Sequence, residues 1–194
     1  YSNFHIYGIT GTAGVDNSTD CLSAASLLGI LGGPVGTASI IANTAITSSS
    51  SMANRFKYYS DTSCTTEIAS ISFGLSPVTI GDDVTGLSSS VSGESGTYPT
   101  TATKVTYANT CVKMKGSTAA GVTYISNLFG GSPTMDVGTE YSCQNSGNKE
   151  YLLMQATDTS GLSVGTDSIL YMEDSDSAYP TDWTTGVDSL TKLP

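Results

Sequence analysis

The sequence predicts a mainly β protein, an antiparallel β-sandwich with one short α-helix near residues 20–31. Three observations predict this fold class. Serine and threonine supply 30 and 28 of the 194 residues, whereas charged residues make up only 12%, about half of their usual share. Short apolar runs recur at intervals of roughly 8–15 residues between turn-forming clusters, a spacing that is typical of sandwiches. An even number of widely spaced cysteines is typical of disulfide-bonded extracellular domains.

The strand candidates are short and follow one another along most of the chain. Between Glu67 and Phe73 apolar side chains alternate with polar ones, which is the period of a strand with one buried face. The segment from Lys104 to Lys115 is the longest strand candidate. The other strand candidates are the segments 35–47, 55–60, 75–80, 122–129, 137–143, 151–157 and 168–172.

The stretch from residue 21 to residue 46 is the most apolar part of the chain, and its first part predicts a helix. Apolar side chains recur there at the i, i+3, i+4 and i+7 positions of one helical face, namely Ala24, Leu27, Leu28 and Leu31. We expect Thr19 or Asp20 to cap the N-terminus of this helix and Gly32 to end it. A membrane-spanning helix needs about 20 consecutive apolar residues. Polar residues interrupt this stretch, so membrane insertion is not expected.

The domain organisation is predicted from changes of pattern along the chain. Residues 1–18 are expected to form an N-terminal strand or arm, and residues 19–194 a β-rich body. The segment 85–103 has little periodicity and is rich in Gly, Ser and Thr, so we expect a long loop there. If the body consists of two units, this loop divides them.

The charge balance excludes several classes of partner. The net charge is −10 and the isoelectric point is about 4.1. The seven basic residues are spread along the sequence, so the sequence predicts no cationic patch. Nucleic acid is therefore not expected as a partner, because binding to its phosphates requires clustered Lys and Arg. Attraction to anionic lipid headgroups is not expected for the same reason.

The four cysteines predict two disulfides. They are Cys21, Cys64, Cys111 and Cys143, without a C-x-x-C spacing or a neighbouring histidine, so a zinc site or a redox motif is not expected. Three pairings are possible, and the shorter loops favour Cys21–Cys64 together with Cys111–Cys143. Disulfides imply an oxidising compartment, so we expect an extracellular or cell-surface protein. The chain is interpreted as a mature secreted form whose signal peptide has been removed.

Two short motifs match catalytic patterns by chance. The segment from Gly161 to Gly165 fits the G-x-S-x-G pattern around Ser163, but that mechanism requires a following helix and a histidine base. The one histidine is His5, at the opposite end of the chain, and no helical pattern follows. The segment from Ser189 to Lys192 fits S-x-x-K but lacks the companion motifs of that mechanism. We therefore predict no enzymatic activity, no catalytic residues and no cofactor.

Three features suggest weaker binding or modification sites. Asp174 and Asp176 lie in an acidic run and offer the hard oxygen ligands that Ca²⁺ prefers, but the run has no EF-hand pattern. Asn17 begins an N-x-S/T sequon and is a potential glycosylation site. Should the protein bind carbohydrate, the aromatic candidates for the sugar site are Tyr98, Tyr179 and Trp183.

The N-terminal residues form a strand pattern that is apolar on both faces. Phe4 and Ile6 share one face, and Tyr7 and Ile9 share the other. Apolar character on both faces predicts burial on both sides. Such a strand either pairs within its own sheet or leaves as an arm and completes the sheet of a neighbouring subunit by β-strand addition.

In its hydroxyl-rich, acidic, disulfide-bearing composition and the apolar strand in residues 1–15, the chain resembles the subunits of bacterial extracellular filaments assembled by donor-strand exchange. The resemblance implies an immunoglobulin-like or pilin-like sandwich and a structural role as a cell-surface homopolymer. In that role Phe4, Ile6, Tyr7 and Ile9 form the assembly strand. The alternative function is that of a monomeric carbohydrate-binding or adhesin module with a glycan as partner.

Overall fold

A computed structural model describes residues 5–9, 21–48, 50–88, 98–144, 149–158, 168–184 and 188–192. Within these ranges the chain forms eleven strands and two helices. In chain order they are β1 His5–Ile9, β2 Leu22–Ser23, α1 Ala24–Leu31, β3 Ser39–Ser48, β4 Ser51–Tyr59, β5 Glu67–Leu75, β6 Thr79–Thr85, β7 Thr101–Gly116, α2 Ala119–Leu128, β8 Glu140–Gln144, β9 Lys149–Asp158, β10 Ser168–Ser175 and β11 Asp188–Lys192.

The strands pair antiparallel throughout the described residues, as predicted. Strand β7 lies at the centre: one of its edges pairs with β5 and β6, and the other pairs with β8 and β9. From β3 to β11 the main path of pairing follows chain order, and β1 pairs with both β3 and β11. This order is up-and-down, whereas an immunoglobulin sandwich has Greek-key connections.

The inner faces of opposite strands contribute side chains to a shared apolar cluster, which confirms the predicted sandwich class. Met52 on β4 and Leu75 on β5 pack in the same cluster as Val105 on β7, Leu152 on β9 and Met172 on β10. Val105 and Leu152 are completely buried. Side chains of β4 and β5 therefore pack against side chains of β9 and β10, as they do between the two sheets of a sandwich.

Helix α1 confirms the predicted helix, but it begins later than expected. Leu22 and Ser23 pair with Ile40 and Ser39 as strand β2, so the helix begins only at Ala24 and neither Thr19 nor Asp20 can be its cap. Gly32 ends it at a φ of 64°, a conformation that glycine adopts without steric cost.

A second helix, α2, occupies a segment that the pattern had assigned to a strand over residues 122–129. The Thr118 side chain caps this helix by accepting a hydrogen bond from the Gly121 backbone N–H. Val122 and Ile125 pack into the core around β5 and β7, and Ile125 is completely buried. The strand prediction was wrong because β-branched residues favour a strand, whereas the periodicity of a short apolar run cannot distinguish a strand from a buried helix. None of the described helices is long and apolar enough to span a membrane.

The predicted loop at 85–103 was too long, because β6 extends to Thr85 and β7 begins at Thr101, and these two strands pair with each other. Thr85 on β6 lies opposite Thr101 on β7, and the Leu87 backbone N–H donates to the Thr100 carbonyl. Leu87 packs with Trp183 in a third buried cluster. Both ends of the loop are therefore fixed to the body of the protein.

Two helical glycines give a test of how closely α2 packs on β5. A Cβ at Gly121 would lie 2.1 Å from the Ile68 carbonyl oxygen, whereas a Cβ at the exposed Gly29 of α1 would meet nothing within 4 Å. We expect Gly121→Ala to lower the free energy of unfolding by roughly 1–3 kcal/mol through overpacking. Gly29→Ala, the matched control, should raise it by up to about 1 kcal/mol because alanine favours helix. Urea denaturation measures both, and a Gly121→Ala protein as stable as the parent would contradict this packing.

Candidate functional site

Four of the seven basic residues lie together on the outer face of the sheet. Arg55 and Lys57 come from β4, and Lys113 and Lys115 come from β7; all four line one groove. The prediction that no cationic patch would form was therefore wrong. The cause is the strand order, because β5 pairs with β4 on one edge and with β7 on the other.

The register of these three strands arranges the cations in two rows. Ser72 of β5 lies between Arg55 and Lys113, and Ser70 lies between Lys57 and Lys115. Neighbouring strands are about 4.8 Å apart and alternate residues along a strand about 7 Å apart. The backbone positions of the four charged residues thus form a rectangle of about 7 by 10 Å. A serine lies at the middle of each longer side.

The groove has a volume of about 220 Å³, and its charge is strongly positive compared with the rest of the protein. Because the net charge of −10 includes these four cations, the rest of the chain carries −14. Among the described residues, Lys115 forms the one ion pair of the group, with its Nζ 3.8 Å from a carboxylate oxygen of Glu67. Arg55, Lys57 and Lys113 have no described carboxylate at ion-pair distance, so their charges remain available to an anion.

Acidic groups border the groove on the side of Lys115. Glu67 accepts hydrogen bonds from the Ser117 hydroxyl at 2.7 Å and from the Ser70 hydroxyl at 3.3 Å, which holds it beside Lys115. Glu140 on β8 also lines the groove, directly across from Lys115. The positive field is therefore strongest on the side of Arg55, Lys57 and Lys113.

The predicted sugar-binding aromatics do not form a common surface. Trp183 is completely buried, and its ring N–H donates to the Pro99 carbonyl at 2.6 Å. Tyr98 is also buried, in the same cluster, so neither ring is open to a sugar and their prediction as sugar-site residues was wrong. Tyr179 remains partly exposed and packs edge-on against Tyr151, with ring centroids 5.1 Å apart.

A hydrogen-bond network explains why Trp183 is buried. The backbone N–H of Trp183 donates to the Ser88 carbonyl, and the Ser88 hydroxyl and backbone N–H both donate to Asp182. These two bonds, the hydroxyl one foremost, hold the pKa of Asp182 below its ordinary value. The segment after β10 is thereby tied to the end of β6.

The acidic residues at the end of β10 differ in their exposure to solvent. Glu173 is buried, and its carboxylate accepts hydrogen bonds from the Thr184 backbone N–H and hydroxyl. Asp174 and Asp176 are exposed. In the part of the chain that the structure describes, no three His, Cys, Asp or Glu side chains form a group that could hold a metal ion.

Several predicted residues lie where side chains are not described. Phe4, Asn17 and Ser163 fall outside the described residues. The S-x-x-K segment lies within β11, and Ile6, Tyr7 and Ile9 lie within β1. The positions of these strands are therefore known from backbone pairing.

The Cys21–Cys64 disulfide is present, as predicted, with Cα atoms 5.9 Å apart. It joins the residue before β2 to the turn between β4 and β5. Cys111 on β7 is also disulfide-bonded, and Cys143 lies on the adjacent strand β8. The pairing of Cys111 with Cys143 stays a prediction.

Asp61 organises the turn that carries Cys64. One of its carboxylate oxygens accepts hydrogen bonds from the Ser63 hydroxyl, the Ser63 backbone N–H and the Thr65 backbone N–H. The other oxygen accepts from the Thr66 backbone N–H at 2.6 Å. These bonds, the Ser63 hydroxyl foremost, hold the pKa of Asp61 well below its ordinary value. Cys64, at a φ of 54°, is thus held in place from both sides of the turn.

Comparison with known proteins assigns no family to this chain. None of the protein-family models matches it, and neither does any curated protein sequence.

Asp61 also predicts a pH dependence. Because its folded pKa is lowered, its contribution to stability is present above the ordinary unfolded pKa of about 3.9 and is lost as the pH falls toward the folded pKa. Asp61→Asn should therefore be less stable than the parent at pH 7, and this difference should shrink between pH 4 and pH 2. Urea denaturation across this range measures it. Asp174→Asn, at an exposed aspartate, is the matched control; an Asp61 variant that behaves like this control would contradict the prediction.

Proposed function

We propose that the protein is a secreted structural subunit of a cell-surface filament or layer, and that it polymerises through its N-terminal strand. One observation carries the proposal. Strand β1 is paired on both edges, with β3 on one side and β11 on the other. It thereby closes a circuit of eight strands that would otherwise be open.

The pairing of β1 is made by the main chain. Residues 5–8 lie opposite residues 43–46 of β3, and residues 7–9 lie opposite residues 190–192 of β11. Main-chain hydrogen bonds of this type form equally well within one chain and between two chains. The slot between β3 and β11 can therefore accept β1 of its own subunit or β1 of a neighbouring subunit.

An empty slot would leave two strand edges unpaired. Such edges pair readily with other strands. If each subunit fills the slot of the next, the contact is head-to-tail, and a contact of this kind that does not close into a ring extends into a filament. Exchange of β1 between subunits would thus complete the sheet of each subunit and join neighbouring subunits at the same time.

The remaining features suit an extracellular material. The Cys21–Cys64 disulfide is typical of proteins outside the reducing cytosol. In the chain-entropy model, a disulfide that closes a loop of this size stabilises by about 3–4 kcal/mol. The surface is solvated mainly by serine and threonine hydroxyls, since only 12% of the residues are charged.

A truncation with peptide rescue tests the proposal. We expect a chain lacking residues 1–9 to lose polymer formation in electron microscopy, and to bind a synthetic peptide of residues 1–12 added in trans. The matched control is the same peptide with Gly8→Pro, which cannot donate a hydrogen bond and fits poorly in a strand paired on both edges. A truncated chain that still assembles like the intact one would eliminate the strand-exchange proposal.

The second candidate, a monomeric carbohydrate-binding or adhesin module, is favoured by the cationic groove on β4, β5 and β7. That groove is a concavity of about 220 Å³ on a sheet face. An intact chain that stays monomeric in size-exclusion chromatography at all concentrations, while binding a glycan, would favour this candidate over the subunit.

A further inference from the structure

We propose that the groove bounded by Arg55, Lys57, Lys113 and Lys115 binds an acidic polysaccharide, a carbohydrate chain that carries carboxylate or sulfate groups. This site is separate from strand exchange and does not depend on the proposed assembly. It is formed entirely by the outer face of β4, β5 and β7 and the neighbouring β8.

The charges identify the ligand as an anion. Arg55, Lys57 and Lys113 line one groove and have no described carboxylate at ion-pair distance, and apart from the four groove cations the chain carries −14. An anion seated between them relieves their mutual repulsion and forms charge-assisted hydrogen bonds. The two cations on β4 face the two on β7 across β5, so a ligand with more than one anionic group can contact both rows.

The serines between the rows favour a carbohydrate. Ser70 and Ser72 lie between the cation rows and line the groove. The Ser72 hydroxyl can donate and accept hydrogen bonds, and the Ser70 hydroxyl, which donates to Glu67, can still accept them; both match the neutral hydroxyls of a sugar. A volume of about 220 Å³ is smaller than the pockets that enclose drug-sized ligands. The groove therefore suits a chain that lies across the face with one or two units seated.

Two other polyanions fit the groove less well. None of the described residues that line it is aromatic, so these residues offer none of the base stacking that single-stranded nucleic acid requires. An acidic peptide, including a segment of a second copy of this chain, gains affinity at a sheet through main-chain pairing with a free edge. Here the backbone of β5 is already paired with β4 and β7, so a peptide could use side chains alone.

Isothermal titration calorimetry at low ionic strength tests the site. The probes are an oligogalacturonate, which carries carboxylates, a sulfated oligosaccharide, and a neutral oligosaccharide of the same length. We expect the oligogalacturonate, the sulfated oligosaccharide or both to bind, and the neutral oligosaccharide not to bind. The affinity of the charged probes should fall as salt is added. The two charged probes distinguish carboxylate from sulfate recognition.

Matched variants locate the binding. Arg55→Gln combined with Lys113→Gln should weaken binding by about tenfold or more, since each removes a charge-assisted contact. Lys149→Gln removes an exposed cation outside the groove and should leave the affinity unchanged. Circular dichroism and thermal melts of all variants establish that the fold is retained.

Four results would overturn the proposal. They are the absence of binding by either charged probe, binding that the groove variant does not weaken, equally tight binding of single-stranded DNA, and a salt-sensitive self-association that the groove variant abolishes without any glycan binding. All four are independent of β1, because the groove variant keeps the N-terminal strand intact. Failure of the site can thus be distinguished from failure of strand exchange.

Discussion

Strand β7 is hydrogen-bonded along both edges through most of its 16 residues, and the rest of the molecule is arranged around it. Val105 in its first half and Met114 in its second half belong to different core clusters. A register shift opposite Leu75 allows the apolar side chains of both halves of the strand to point into the core. The same strand presents Lys113 and Lys115 outward, so the core and the cationic groove depend on a single register.

The class of fold follows from local patterns, and the order of its strands does not. Alternation of apolar residues predicted β5 and β7, and the helical spacing of residues 24–31 predicted α1. The second helix was missed because Val122 and Ile125 fit a short strand as well as a helix, and the cap at Thr118 was the available signal. Pairing of β1 with both β3 and β11 joins segments far apart in sequence, which no local period can indicate.

The groove could not be predicted for the same reason. Arg55 and Lys113 are separated by more than fifty positions, and only the antiparallel pairing of β4, β5 and β7 brings them across from each other. Burial of Trp183 likewise depends on Ser88 and Pro99, which are remote in sequence. By contrast, the Cys21–Cys64 disulfide was predictable because a loop-closure argument uses only sequence separation.

Amide hydrogen exchange measured by NMR tests the central place of β7 most directly. Strand β6 is exposed and, within the described residues, pairs with β7 alone, whereas β7 is paired on both edges. The amides of β7 should therefore exchange on the order of 100-fold more slowly than those of β6, because they open only with the core. Exchange of the β7 amides as fast as those of β6 would contradict this account of the fold and of the groove built upon it.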